Sequence, residues 1–375
     1  VGRLRRNGAA GWNGWLGKRI ALGIPQLIGL DIGTTAVKAA RIRRKGTRTI
    51  VAAVAQAPIE AAEGQNGSRD EQTVAAVRQC LERLGGRMQG ATCGLSGPEV
   101  IVRLFDFPAL ERHQLASAVE LEAAQVCPFD VSRGAVSYHV LSGRMPSRWS
   151  RRSQPQRTTG VFVAANNDVI QRRRDLCRQA GTRCMLLDVE GFALLNCLEA
   201  CGAIGAGAVM VLNVGSQYTN LAILSENGQP FVRDIAYAAE SVVDAVSRGV
   251  GAARPAVIGA LQGDEASGVS LEDLRPGLER ACSVLAGRVH ETLRYHATVQ
   301  SGASVEKTFL CGGLVRMKAV TGILAPLLPG RVEVWNPLTM LTCARAVRKS
   351  GMAEHGSTFA VALGLAMRSL RDVPD

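Results

Sequence analysis

Aromatic residues make up only 4% of this 375-residue chain, so Ala, Val, Leu and Ile must carry its cores. No apolar run approaches the roughly 20 residues that a membrane-spanning helix needs. The stretch 20–30 follows a basic start, but Pro25 and Gln26 break it and no small-residue cleavage site follows, which argues against a signal peptide. The ten cysteines form no Cys-x-x-Cys pair, and none has a histidine at metal-ligand spacing. That excludes a zinc ribbon or a disulfide scaffold and fits a reduced compartment. Cys197 and Cys201, four apart, read as core packing on one helix face. His113, His139, His290, His296 and His355 share no spacing with carboxylates, so no hydrolase triad is readable.

Acids are also in short supply: 32 Asp and Glu stand against 44 Lys and Arg, a net charge of +12. The first 25 residues hold five cations and no acid, and so does the segment 143–160. A nucleic-acid module adds aromatic platforms or a recognition helix to its charge. Neither stretch has one, so both read as solvated basic segments and no nucleic-acid partner is expected. Trp12, Trp15, Leu16 and Ile20 lie near helical spacing in the leader. A helix on an anionic membrane surface, a loose leader and a strap on the domain are all open readings.

What is present is Gly, 41 residues of it, and ordinary globular usage otherwise: 47% hydrophobic and 20% charged. At about 150 residues per domain the length suggests two or three domains. After the leader an apolar strand over 27–31 runs through a Gly turn at 32–35 into strands at 36–42 and 49–55. A helix over 71–84 ends at Gly85-Gly86. Residues 99–140 read as a separate unit: strand 100–105, helix 112–126 stopped by Pro128, strand 135–141. Beyond the basic segment come a strand at 161–165, an Arg-rich helix at 168–180, a strand or its end at 186–190 and a helix at 192–200. Gly202, Gly205 and Gly207 mark the main boundary.

The opening pattern then repeats. Strand 209–214, turn 215–217, strand 218–224, the Asn227-Gly228 turn and strand 231–236 share one plan with residues 27–55. Asp31 falls opposite Asn213, and Gly33 opposite Gly215. Later, a strand at 309–310 ends in Cys311-Gly312-Gly313. Tight Gly hairpins point backbone N–H groups at one place, as anion binding requires. Gly33 permits close approach, Thr34 and Thr35 offer donors, and Lys38 adds positive charge or faces solvent. Asp31, ending a buried strand, needs a partner or a cation, and Mg²⁺ carried by a nucleotide would supply one. One such hairpin is an ordinary turn. Two copies and a later strand-Gly-Gly can clamp a nucleotide between lobes.

DIGTTAVK resembles the first phosphate motif of the actin-like ATPase superfamily. Within it, the chain resembles the PilM family of type IV pilus assembly over about residues 26–370. LIGLDIGTTAVKAARI, LLDVEGFALLNCL and FAVALGLAMR carry the likeness. So does the run in which Pro108, Leu110, Ala118, Val119, Glu122, Ala123, Pro128 and Phe129 follow the family pattern. The resemblance implies an α/β, actin-like fold of two lobes with related mixed sheets flanked by helices, plus a small inserted α+β subdomain of the 1C type. It implies a flexible leader over 1–25, lobe 1 over 26–98 and 157–206, the insert with its basic loop over 99–156, lobe 2 over 207–335, and a return to lobe 1 over 336–375.

By the same resemblance, Asp31, Gly33, Thr34, Thr35 and Lys38 form a first phosphate loop for ATP or ADP, with Asp31 toward Mg²⁺. Asn213, Gly215, Ser216 and Gln217 form the second, and Gly312 and Gly313 approach the adenosine. Glu190 stands where relatives place an acid near the attacking water. Asn213 replaces the usual Asp, and Leu314 replaces a third Gly and is expected to crowd the base, so hydrolysis should be slow or absent. The implied partner is the cytoplasmic tail of a PilN-like inner-membrane protein. It would lie between the insert and lobe 1 against Phe105, Phe107 and Glu122, with the protein peripheral to the cytoplasmic face of a bacterial inner membrane and self-association left open. The rivals are a phosphotransferase or active ATPase of the superfamily, an FtsA-like division protein, which would add an amphipathic C-terminal helix, and a GspL-like domain, which would continue into a membrane span. A kinase needs a second acid motif beside Glu190, and none is readable.

Overall fold

The computed structural model describes residues 27–45, 48–60, 68–85, 90–142, 157–299 and 304–368. The leader and residues 143–156 of the basic segment lie outside the described residues. The chain opens as an antiparallel meander of β1 (Ile28–Ile32), β2 (Ala36–Lys45) and β3 (Arg48–Pro58). Helix α1 (Arg69–Leu84) starts on Ser68, which caps the Glu71 N–H while the Glu71 carboxylate accepts from the Ser68 N–H. It leads to β4 (Ala91–Leu95), parallel to β1. Then come β5 (Val100–Pro108), α2 (Arg112–Val126), β6 (Gly134–Ser142), β7 (Arg157–Asn166), α3 (Asn167–Gln179), β8 (Cys184–Val189) and α4 (Glu190–Ala200). A second meander, β9 (Val209–Val214), β10 (Thr219–Leu224) and β11 (Pro230–Ile235), is followed by α5 (Ala239–Val250), α6 (Arg254–Gln262) and α7 (Leu271–Val299). The chain closes with β12 (Lys307–Gly312), α8 (Lys318–Leu324), β13 (Arg331–Val334), α9 (Pro337–Met340), β14 (Thr342–Cys343), α10 (Arg345–Lys349) and α11 (Ala360–Met367).

Two large sheets result, ordered β14-β3-β2-β1-β4-β8 and β11-β10-β9-β12-β13. Without β14 they have one topology: a meander with two parallel strands added beside its first strand. The repeat read in the sequence is therefore a repeat of architecture. Asp31 faces Lys38 across β1–β2 as Asn213 faces Asn220 across β9–β10.

A third sheet, β5-β7-β6, carries α2 and has its own core of Phe105, Leu115, Val119, Ala123, Phe162 and Ala164. Here the expected edge at residue 156 moves. β7 pairs with β5 and β6 through its whole length, so the small unit runs to Asn166. The basic segment before β7 disguised it as the start of the next unit. The helix after β8 also begins two residues early, at Glu190, because Val189 serves as its N-cap.

Between the large sheets lie α4 and α11, which merge both lobes into one core. All eight residues of α11 are buried. The helices approach closely because glycines allow it. A Cβ on Gly364 would sit 1.8 Å from the Ala193 carbonyl oxygen, and one on Gly29 in β1 would sit 1.9 Å from that of Ala362. This is how a chain poor in aromatics fills its centre: small residues bring backbones together.

Gly364→Ala must push α11 away from α4, and overpacking of this kind costs about 1–3 kcal/mol. Gly322→Ala, in a helix with open space around it, should be neutral or stabilising by about 0.5–1 kcal/mol. Urea unfolding of the two variants tests the contrast, and equal stabilities would contradict it.

Candidate functional site

The first hairpin follows β1. The Gly33 N–H donates to the Ala36 carbonyl at 3.2 Å and closes the turn. The Thr34 carbonyl accepts from Arg69 at 2.5 Å and the Thr35 carbonyl from the Ile59 N–H at 2.9 Å. Among the described residues no acceptor takes the Thr34 or Thr35 N–H. Lys38 does not face solvent: its Nζ lies 3.3 Å from Asp31 Oδ2 and 3.4 Å from where a Cβ on Gly33 would be. The buried Asp31 thus has an ammonium partner.

The second hairpin repeats this geometry, with the Gly215 N–H on the Tyr218 carbonyl at 3.0 Å. Its side chains engage Glu240 at the start of α5. Ser216 Oγ donates to Glu240 Oε1 at 2.5 Å, and Gln217 Nε2 reaches Oε2 at 3.5 Å. From Asn213 a polar row crosses the sheet. Asn213 Nδ2 donates to Asn220 Oδ1 and Asn220 Nδ2 to Asp234 Oδ1, both at 2.8 Å. Asp234 Oδ2 accepts the Gly97 N–H from the first lobe at 2.7 Å. Gly312, at φ 99°, lies against this hairpin: a Cβ there would sit 2.4 Å from the Val214 carbonyl oxygen. Gly313 faces open space. Leu314, expected to crowd a base, is buried in the lobe 2 core instead.

Glu190 starts α4 where the lobes meet. It is buried, packs on Gly94 and bonds Ser96. Burial is the main cause that lifts its pKa to about 7. Repulsion from Asp31 and Asp234 adds to this, and the Arg173 guanidinium opposes it. Arg173 Nη1 also donates to the Ile32 carbonyl at 2.9 Å, and its Nε is buried without a partner among the described residues. Burial likewise raises the Asp234 carboxyl. Where the lobes meet, Glu190 is thus near Asp31, Asp234 and Arg173, and Lys38 pairs with Asp31. Among the described residues no three His, Cys, Asp or Glu side chains are placed to hold a metal ion.

Between the small sheet and lobe 2 lies a groove of about 420 Å³. One wall is β5 from Val100 to Leu104 with Glu122 of α2; the other is β11 from Pro230 to Asp234 with Tyr295 of α7. Residues of both parities line it on each strand, because β5 and β11 are edge strands that present their edges to it. The opposite wall thus belongs to lobe 2, and lobe 1 adds mainly Gly97, Pro98 and Val189. Of the three expected partner residues, Glu122 lines the groove. Phe105 is buried in the small core and Phe107 stacks on it at 5.1 Å, so neither ring lines the groove. The sequence reading missed Asn220, Asp234, Glu240 and Arg173. Asn220 was within reach, since it follows Asn213 by the same seven residues that separate Lys38 from Asp31.

Compared with known proteins, residues 29–370 match the family model of the type IV pilus assembly protein PilM. The chain belongs to the PilM family. Its fold is similar to that in a PilM–PilN type IV pilus biogenesis complex, with a TM-score of 0.75 at 22% identity over 92% of this chain and 98% of that one. More distant likenesses are to the ethanolamine utilization protein EutJ from Carboxydothermus hydrogenoformans (TM-score 0.50, 13% identity, 92% of this chain and 90% of that one) and to a glycerol dehydratase reactivase (0.50, 11%, 92% and 100%). The two-lobed, actin-like architecture expected from the motifs is thus the one present in this PilM-family chain. Among the described residues no helix is long and apolar enough to cross a membrane.

Glu190 generates a pH prediction. Below pH ~4 it is protonated folded and unfolded, and its burial carries no charge penalty. Between pH ~4 and 7 the unfolded state loses the proton first, so stability falls. Above pH 7 a constant penalty of about 3 kcal/mol remains. Glu190→Gln should remove that slope and be the more stable protein at pH 8 but not at pH 4. Parallel slopes for the two proteins in urea titrations would refute it.

Proposed function

We propose that the chain is a scaffold of type IV pilus assembly whose interlobe cleft holds ATP or ADP and whose groove holds the cytoplasmic tail of a PilN-like inner-membrane protein. The observation that carries this reading is the pair of equivalent Gly hairpins, on sheets of one topology, with Gly312 against the second. The unclaimed N–H groups of Thr34 and Thr35 suit phosphate oxygens. Gly215, Ser216 and Gln217 suit the opposite side of the chain of phosphates, with Gly313 open toward the adenosine. The donor set fits Mg²⁺ only as a hydrated ion brought by the nucleotide, since Asp31 is one hard oxygen ligand and no cage surrounds it. Bound there, the ion supplies charge neutralisation on the phosphates. An arriving phosphate would compete with Asp31 for Lys38 and so free the carboxylate for the ion's waters.

Turnover is expected to be slow. Glu190 holds its proton up to about pH 7, and Asn213 brings an amide where a carboxylate would polarise water. The nucleotide then acts as a ligand that joins the lobes. The groove suits an extended peptide, because two strand edges offer main-chain groups and their apolar neighbours offer alternating pockets. An active phosphotransferase would need a second acid motif beside Glu190, which the sequence does not offer.

Two measurements follow. Millimolar ATP with Mg²⁺ should raise the melting temperature; stabilisation at a hundredfold excess over Kd is about 2.7 kcal/mol. The Thr34→Ala, Thr35→Ala double variant keeps the two N–H groups but loses both hydroxyl donors, so its shift should be smaller, and turnover should stay below ~1 s⁻¹. Absence of any shift in the wild type would show a degenerate cleft. Separately, a tail peptide of the partner should bind at micromolar strength, and Glu122→Lys should weaken it about tenfold without lowering the melting temperature. Equal binding to both proteins would remove the partner from this groove.

A further inference from the structure

The structure places together two basic segments that lie almost 300 residues apart in the chain. Between residues 32 and 59 the sequence has six cations and no acid, and between 334 and 353 three cations and no acid. The first segment is the β2–β3 hairpin. The second contains β14 and α10. β14 pairs with β3 through Thr342–Ile50 and Cys343–Val51, and the Ala344 N–H then donates to the Val51 carbonyl at 2.9 Å. Val347 on the inner side of α10 is buried in the same core as Ile42 and Val51. The hairpin and α10 are thereby fixed side by side at the outer end of lobe 1, away from the phosphate turn where β2 begins.

The side chains left outside are cations. Arg43, Lys45, Arg48, Arg345, Arg348 and Lys349 are all exposed, and none has an ion-pair partner among the described residues. This differs from the other arginines of lobe 1, many of which are used. Arg41 and Arg78 hold carbonyl oxygens, and Arg172 pairs with Asp70.

We propose that this end of lobe 1 is a docking surface for an anionic lipid bilayer. These six long cationic side chains surround the same end of the sheet, Arg43, Lys45 and Arg48 on the face that α1 covers and Arg345, Arg348 and Lys349 on the α10 side, so it is the end as a whole that meets a negative surface. Each Lys or Arg near such a surface adds about fivefold to partitioning, within a Debye length of about 8–10 Å. No aromatic ring stands among them to stack a base, and no helix longer than α10 presents them to a groove, as a nucleic-acid surface would need. The inference goes beyond tail binding and does not depend on it: a protein that fails to bind the tail peptide can still bind lipid, and the reverse also holds.

The test is co-sedimentation of the full chain with vesicles of phosphatidylcholine alone or with 40% phosphatidylglycerol, at low and at physiological salt. The triple variant Arg43→Glu, Arg48→Glu, Arg348→Glu is compared with Arg280→Glu, Arg288→Glu, Arg294→Glu, which makes the same charge change on α7 of lobe 2. A neutral triple, Arg43→Gln, Arg48→Gln, Arg348→Gln, guards against misfolding of the reversal. The wild type and the α7 triple should bind only the anionic vesicles. The neutral triple should lose binding about 100-fold, and the lobe 1 reversal should lose more. Three results would each overturn the proposal: no binding of the wild type to anionic vesicles, equal loss in both reversals, or unchanged binding in the lobe 1 reversal. So would a single-stranded oligonucleotide that binds the wild type more tightly than the vesicles do and is lost with the same three arginines.

Discussion

The fold depends on the closeness of α4 and α11 to each other and to β1. Two helices with bulky faces would hold the large sheets apart and separate their hairpins. With glycine at 29 and 364, main chain packs on main chain, and the two lobes share a single apolar centre. The site inherits its dimensions from that contact. Glu190 is at the junction of the lobes because it begins α4, and α4 is held by α11 on one side and by Val232 against Gly191 on the other.

Much of this was legible in the sequence. Two Gly-hairpin meanders with matching offsets announce two related sheets, and the structure places Gly33 and Gly215 in the same kind of turn. Less visible was everything that depends on strand neighbours distant in the chain. β7 reads as a buried strand, but nothing local says that it pairs with β5 and β6. Phe105 and Phe107 alternate with Asp106 as a groove wall would, yet Phe105 lies in a small core whose other members come from α2 and β7. The basic end of lobe 1 was hidden in the same way. Its halves look unremarkable singly and become one surface only when β14 joins β3.

The two lobes treat equivalent positions in opposite ways. In lobe 1 the row is Asp31, Lys38 and Gln56, with the acid at the hairpin turn and a cation beside it. In lobe 2 the row is Asn213, Asn220 and Asp234, with amides at the turn and the acid two strands away. The duplicated scaffold therefore carries an uneven charge pattern. The first turn thus carries an ion pair and the second an amide pair, and the acid at the second turn is Glu240, which reaches it from α5.

Asp234 has its two carboxylate oxygens held from different lobes, one by Asn220 and the other by the Gly97 N–H. Separating the lobes at that point would strand a half-buried acid, at a cost of about 1–3 kcal/mol for a single lost bond. The Gly97–Asp234 bond is thus a clasp between the two halves, and separating them there turns on the fate of one carboxyl.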